Sequence, residues 1–205
     1  MKPASPAIPF RTLALPVIAM MAVVAASNVL VQHPVEAFGL NEVLTWGAFS
    51  YPVAFLVNDL TNRRFGPAVA RQVVYAGFAL AVVLSIYLAT PRIALASGTA
   101  FLFGQLLDIG VFNRLRRLSW WQAPLAGSLF GSAIDTVLFF SLAFAGDADM
   151  SAPVTYASTG ITVPLWMGLA YFDFLVKAAC ALLALLPYGA LMGWLKPWRA
   201  APGAR

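Results

Sequence analysis

The chain has 205 residues, of which 61% are hydrophobic and only 10% are charged. Soluble domains carry about 25% charged residues, so this composition excludes an ordinary water-soluble domain. The formal net charge is +5, but the basic residues lie in short clusters between apolar runs. That pattern is typical of membrane topology signals and argues against a nucleic-acid-binding face. With one cysteine and one histidine, the chain offers no disulfide framework and no cluster of soft metal ligands, so we predict no metal and no cofactor.

The apolar runs predict an all-α, polytopic membrane helical bundle with six transmembrane helices, forming a single domain over residues 1–205. A spanning helix needs about 20 mostly apolar residues, so six spans leave no room for a separate soluble catalytic domain. The first run is interpreted as a retained helix rather than a signal peptide, because no convincing small-residue cleavage site follows it. The predicted spans are about 12–31, 43–62, 69–89, 93–112, 121–145 and 169–195.

The distribution of charge predicts the orientation of the bundle. All lysines and arginines except Arg92 and Lys177 lie at one end of the predicted spans. The positive-inside rule therefore places both the N-terminus and the C-terminus in the cytoplasm. At the opposite end, residues 150–162 are predicted to be either a polar external connection or a re-entrant segment.

Polar and charged side chains interrupt the predicted spans. An ionised group at mid-membrane costs about 2.5 to 3.5 kcal/mol even on insertion scales, so these groups must face each other, water or a ligand. They are Asn58, Asp59, Gln105, Asp108, Asp135, Asp173 and Lys177.

Three spans combine these groups with aromatic rings at helical spacing. Carboxylates and amides beside aromatic faces suit a flat, nitrogen-rich heterocycle, whose ring stacks while its N–H edge is hydrogen-bonded. The stripes are Tyr51, Phe55, Asn58 and Asn62 on the second span, Phe101, Gln105, Asp108 and Phe112 on the fourth, and Ser132, Asp135 and Phe139 on the fifth.

Each charged group also has a structural interpretation. Asp173 and Lys177 are spaced i, i+4 in the favoured order, so they form either an intrahelical ion pair or part of a substrate or proton site. Asp59 and Asp108 lie toward the cytoplasmic ends of their spans, where contact with interfacial water or arginines is the alternative. Asp135 is near the middle of its span, where contact with interfacial water or with the arginines is most difficult.

Small residues recur at four-residue spacing on the fifth span: Gly127 with Gly131, and Ser128 with Ser132. This spacing lets another helix approach closely. Packing within one bundle and a homodimer are both compatible with it.

Four ordered segments carry a resemblance to a known family. They are YPVAFLVNDLTNRRFGPAVAR from Tyr51, FLFGQLLDIGVFNRLRR from Phe101, GSAIDTVLFFSLAFAG from Gly131, and the last-span Lys177. Together they resemble the queuosine-precursor transporter family, once called a vitamin-uptake group. The resemblance implies import of 7-cyano- or 7-aminomethyl-7-deazaguanine across a bacterial inner membrane, with Asp59, Gln105, Asp108, Asp135 and Lys177 as the positions to test. Combined with the stripes, the candidate substrate-binding set is Asn58, Asp59, Gln105, Asp108, Asp135, Lys177, Phe55 and Phe101.

Three other interpretations stay open at this point. The chain could be the substrate-binding membrane subunit of an energy-coupled vitamin importer with partner ATPases, or a transporter of another heterocyclic vitamin. An intramembrane lipid enzyme using aspartates and a divalent metal is disfavoured by the lack of close acid-rich motifs. We therefore predict a transporter rather than an enzyme, with the lipid bilayer and a small molecule as partners, and with proton coupling and facilitated diffusion both open.

Overall fold

The computed structural model describes residues 10–36, 44–156 and 160–198. These residues form α1 (Phe10–Leu30), α2 (Gly47–Ser50), α3 (Pro52–Phe65), α4 (Pro67–Leu88), α5 (Pro91–Leu115), α6 (Gln122–Phe144), β1 (Pro153–Tyr156), β2 (Ile161–Pro164) and α7 (Leu165–Met192). The predicted spans agree with the helices to within four residues, although position 43, where the second span was predicted to begin, lies outside the described residues.

Five of these helices, α1 and α4 to α7, are long and apolar enough to cross a membrane. The remaining predicted span is divided into α2 and α3, because Pro52 has no backbone N–H to continue the helical hydrogen bonds. Tyr51 between them keeps helical angles (φ −60°, ψ −40°), and its N–H donates to the Gly47 carbonyl at 2.9 Å. Residues 47–65 therefore follow one helical path of about 28 Å, close to the thickness of the hydrocarbon core.

Short turns join the helices. Gly66 adopts φ 85° between α3 and α4, a conformation that favours glycine, and Pro67 begins the next helix. Thr90 caps α5 by accepting from the Ile93 N–H at 3.4 Å. Such turns hold successive helices antiparallel and adjacent.

The apolar core lies on one side of the bundle. Met20 of α1, Val73 and Val74 of α4 and Phe101 of α5 are buried there together. Other faces of α3 and α5 pack against α6, and α3 also packs against α7. The buried polar side chains lie on those faces.

One end of the bundle is basic. The Trp198 N–H donates to the Arg63 carbonyl at 2.7 Å, and Arg116 donates to the Asn62 carbonyl at 2.9 Å. The ends of α3 and α5 and the chain after α7 therefore meet. Placement of this end in the cytoplasm stays a prediction.

The opposite end contains a β-hairpin that the sequence did not predict. Strands β1 and β2 pair antiparallel, with Val154 opposite Val163, and the hairpin overlaps residues 150–162, which were predicted to be a loop or a re-entrant segment. Also at this end, Arg92 donates to the carbonyls of Leu142 (2.9 Å) and Ala145 (2.5 Å). Arg92 thus satisfies orphan carbonyls at the C-terminus of α6, a position where positive charge is favourable.

Candidate functional site

All eight predicted site residues are buried, with at most 5% of any of them exposed. They lie on α3, α5, α6 and α7, and each of these helices contacts at least two of the others. The structure separates them into two groups. We call Asn58, Asp59, Gln105 and Asp108 the amide–carboxylate cluster, and Asp135, Thr136, Asp173 and Lys177 the lysine centre.

Helices α5 and α6, which carry residues of the two groups, pack closely against each other. A Cβ atom at Gly127 would lie only 2.2 Å from Asp108 Oδ1, and one at Gly131 would lie 2.8 Å from the Gly104 carbonyl oxygen. The seam of small residues therefore receives α5 of the same chain, as the intrachain interpretation predicted. The seam gives no support to a homodimer, which stays a prediction.

In the amide–carboxylate cluster, Asn58 of α3 links two positions on α5. Its Nδ2 donates to Asp108 Oδ2 at 2.7 Å and to the Gln105 carbonyl at 3.2 Å. Beside it, Asp59 Oδ2 accepts from the Ser128 hydroxyl of α6 at 3.4 Å. Asp59 is 2% exposed and Asp108 is fully buried, and neither lies within ion-pair distance of an arginine in the described chain. The alternative of contact with interfacial water or arginines is therefore wrong for both.

Several polar atoms in and beside this cluster are buried without a hydrogen-bond partner among the described residues. Leaving a buried donor or acceptor unpaired costs about 1 to 3 kcal/mol, so such a concentration points to a ligand or to water. The atoms are Asn58 Oδ1, Asp59 Oδ1, Gln105 Nε2 and Oε1, Asp108 Oδ1 and Ser132 Oγ. They offer several acceptors together with one amide donor, Gln105 Nε2, a combination that suits a planar molecule with N–H groups and a carbonyl on one edge.

The lysine centre joins α6 to α7. Lys177 Nζ lies 2.8 Å from Asp135 Oδ2 and 2.5 Å from Asp173 Oδ2, and it donates to the Thr136 hydroxyl at 3.2 Å. Thr136 in turn donates to Asp173 at 2.8 Å. The i, i+4 ion pair is thus confirmed, but the second carboxylate, Asp135, comes from another helix. Two carboxylates on one ammonium give this centre a formal charge of −1.

The aromatic residues pack edge to face rather than as parallel plates. The Tyr51 ring lies 6.5 Å from Phe55 and 6.0 Å from Phe101, and Lys177 Nζ lies 5.4 Å from the Tyr51 ring centroid. Phe55 packs against Gly131, and Phe101 belongs to the apolar core. Tyr51 therefore connects the aromatic residues to the lysine centre.

Four further residues lie at the candidate site but were not among the site residues predicted from the sequence. Ser128 was considered only as a small packing residue, and Thr136 had no periodic signal of its own. Tyr51 and Ser132 belonged to the polar stripes, but nothing in the sequence showed what they contact. Among the residues that the structure describes, no group of three His, Cys, Asp or Glu side chains is placed to hold a metal ion.

A bundle of membrane-length helices with buried charged groups along its interior defines a polytopic membrane transport protein. The sequence model of a family described as "Putative vitamin uptake transporter" matches residues 45–192. The chain is 36% identical over 195 residues to the queuosine precursor transporter of Escherichia coli K12, covering 84% of this chain and 83% of that protein. It is 34% identical to a probable queuosine precursor transporter of Haemophilus influenzae, with 83% and 82% of the two chains covered. It is 29% identical to a Bacillus subtilis protein of the same description, with 79% and 76% covered.

The chain therefore belongs to this vitamin uptake transporter family. The resemblance found in its four motifs is confirmed. No solved structure matches the chain significantly.

Proposed function

We propose that this protein imports queuosine precursors, 7-cyano-7-deazaguanine, 7-aminomethyl-7-deazaguanine or both, across the bacterial inner membrane for queuosine salvage. Its similarity to the E. coli and H. influenzae transporters over most of all three chains supports this substrate class. In this proposal both termini face the cytoplasm, because the basic end of the bundle follows the positive-inside rule. A homodimer is a further prediction, to be measured by the mass of the purified protein in detergent.

The observation that carries the proposal is the fully buried Gln105 amide, whose nitrogen and oxygen both have no partner among the described residues. Both precursors have the same pyrimidine edge, which presents a carbonyl, a ring N–H and an exocyclic amine. An amide can donate to the carbonyl and accept from an N–H at the same time. The free oxygens of Asn58 and Asp108 are positioned to accept the remaining N–H groups.

The other predicted residues surround this edge. In the proposal, Phe55 and Phe101 form the apolar wall of the site, and Asp59 extends its acceptor surface. Asp135 and Lys177 border the site on α6 and α7 through the lysine centre. In the proposal these four helices enclose a site that opens alternately to each side of the membrane.

The test is salvage in a bacterium that lacks both queuosine synthesis and its own precursor importer. Cells that express this chain and receive a low precursor concentration should regain queuosine in tRNA. Gln105→Ala should raise the precursor concentration required by about thirtyfold, because two hydrogen bonds of about 1 kcal/mol each are lost. Thr61→Val is the matched control, because the Thr61 hydroxyl bonds to the Val57 carbonyl of its own helix.

Reconstitution separates this proposal from the energy-coupled importer subunit. The purified chain in liposomes, without any ATPase, should exchange internal for external precursor. Absence of exchange from correctly inserted protein, together with failed salvage, would overturn the proposed function.

A further inference from the structure

Two carboxylates of the amide–carboxylate cluster face the same short segment of α6. Asp108 Oδ1 occupies the space beside Gly127 where a Cβ atom would lie, and Asp59 Oδ2 accepts from Ser128, the next residue. The two acids come from α5 and α3 respectively, and they interact electrostatically. The α5–α6 packing therefore holds two acidic groups together, away from solvent.

The partners of this pair are neutral. Asn58 donates to Asp108 and Ser128 donates to Asp59, and the second oxygen of each carboxylate has no partner among the described residues. The ammonium of Lys177 pairs with Asp135 and Asp173, and it forms no ion pair with Asp59 or Asp108. Two adjacent carboxylates in a low-dielectric interior do not both ionise, because each negative charge disfavours the other.

Charged and titratable groups on the surrounding helices make other contacts, although Arg63 Nε is itself buried without a partner among the described residues. Arg63, one turn after Asp59 on α3, interacts with Tyr188 of α7, which also interacts with Asp59. Arg116, at the end of α5, donates to Asn62 and stacks on the Trp198 ring at 4.9 Å. On α6, the titratable group is Asp135, two turns beyond Ser128 and bound to Lys177. No cationic group of the described residues forms an ion pair with Asp59 or Asp108, so a positive charge at this pair is supplied from outside these contacts.

The geometry restricts what can supply that charge. Asp108 Oδ1 packs directly against Gly127, and the pair is at most 2% exposed, which favours the smallest cation, a proton. Gln105, with both amide atoms unpartnered, lies one turn before Asp108 on α5. A ligand held by Gln105 is thus adjacent to the acid pair.

We propose that Asp59 and Asp108 form a shared proton site that couples proton entry to substrate import. The site is protonated from the external side together with substrate binding, forming one carboxyl O–H bond. After the substrate leaves, while the site is open to cytoplasmic water, that O–H bond breaks and the proton passes to water. This inference rests on the proposed function and specifies its driving force.

The experiment uses the full chain in liposomes with 7-cyano-7-deazaguanine as a neutral probe and with the membrane potential clamped. An external pH one unit below the internal pH should sustain an about tenfold accumulation at one proton per base, since one pH unit is about 1.4 kcal/mol. A protonophore should abolish accumulation. Asp59→Asn and Asp108→Asn should both lose the response of uptake to the pH gradient, measured relative to the exchange rate of each variant without a gradient, whereas Asp149→Asn, at an exposed position, should behave as wild type.

The outcomes separate the two proposals. Exchange by the wild type that ignores the pH gradient and the protonophore would overturn proton coupling and leave the proposed function intact. Normal accumulation by both aspartate variants would show that the pair is not the proton site. If the variants do not insert, a pH dye trapped in wild-type liposomes decides the question: acidification with base entry supports the proposal, and constant pH overturns it.

Discussion

Replacing Lys177 with methionine removes an ammonium that contacts two buried carboxylates while keeping a side chain of similar length. Its Nζ lies 2.8 Å from Asp135 and 2.5 Å from Asp173, and the lysine is only 5% exposed. Breaking a buried ion pair by removing one partner costs about 3 to 5 kcal/mol. For a chain of this length, that loss lowers the melting temperature by about 6 to 20 °C.

The assay is thermal unfolding of the purified protein in one detergent, with a matched series of variants. Asp173→Asn should be affected less than Lys177→Met, because Lys177 keeps its contact with Asp135. The triple variant Lys177→Met, Asp135→Asn, Asp173→Asn should recover most of the lost stability, because no uncompensated charge is left. A melting temperature of Lys177→Met equal to that of the wild type would refute the lysine centre as a structural ion network.

Two further predictions test the α5–α6 packing and the orientation. Gly127→Ala should abolish uptake and lower stability, because the added Cβ would collide with a buried carboxylate, whereas Gly110→Ala should be neutral, since nothing lies within 4 Å of its added Cβ. For orientation, single cysteines replacing Asp149 or Lys196 are introduced in a Cys180→Ala background and exposed to an impermeant thiol reagent in intact cells. Labelling of the Asp149 position alone is expected, and labelling of the Lys196 position alone would reverse the orientation.

Much of the fold follows from the sequence because a membrane imposes a length on every helix. Six apolar runs, each near or above the length needed to span a membrane, predicted spans whose ends lie within four residues of the observed helix ends. The division at Pro52 also has a visible local cause, the missing N–H. The β-hairpin had no comparable signal, because its strands are four residues long and its pairing depends on residues such as Val154 and Val163 meeting across a turn.

The ion pair between Asp173 and Lys177 on one helix follows from the sequence, but the contacts that join candidate residues of different helices do not. Helical periodicity indicates which side chains share a face, and it placed Asn58, Gln105 and Asp108 on stripes with aromatic residues that are buried like them. It does not show which helices are neighbours. The contact between Lys177 and Asp135, 42 positions apart, and that between Asn58 and Asp108, 50 apart, depend on the order in which α3, α5, α6 and α7 pack.

Arg92 has a consequence for the time course of membrane insertion. Its acceptor carbonyls belong to Leu142 and Ala145, which are 50 and 53 positions later in the chain. At about 5 to 20 residues per second, ribosomes complete those acceptors about 3 to 10 seconds after Arg92 is made. During that interval the guanidinium is an uncapped positive charge at the predicted external end, where it opposes the topology signal. The basic residues made before it, including Arg63, Arg64 and Arg71, must therefore fix the direction of the spans already made before the carbonyls that accept hydrogen bonds from Arg92 exist.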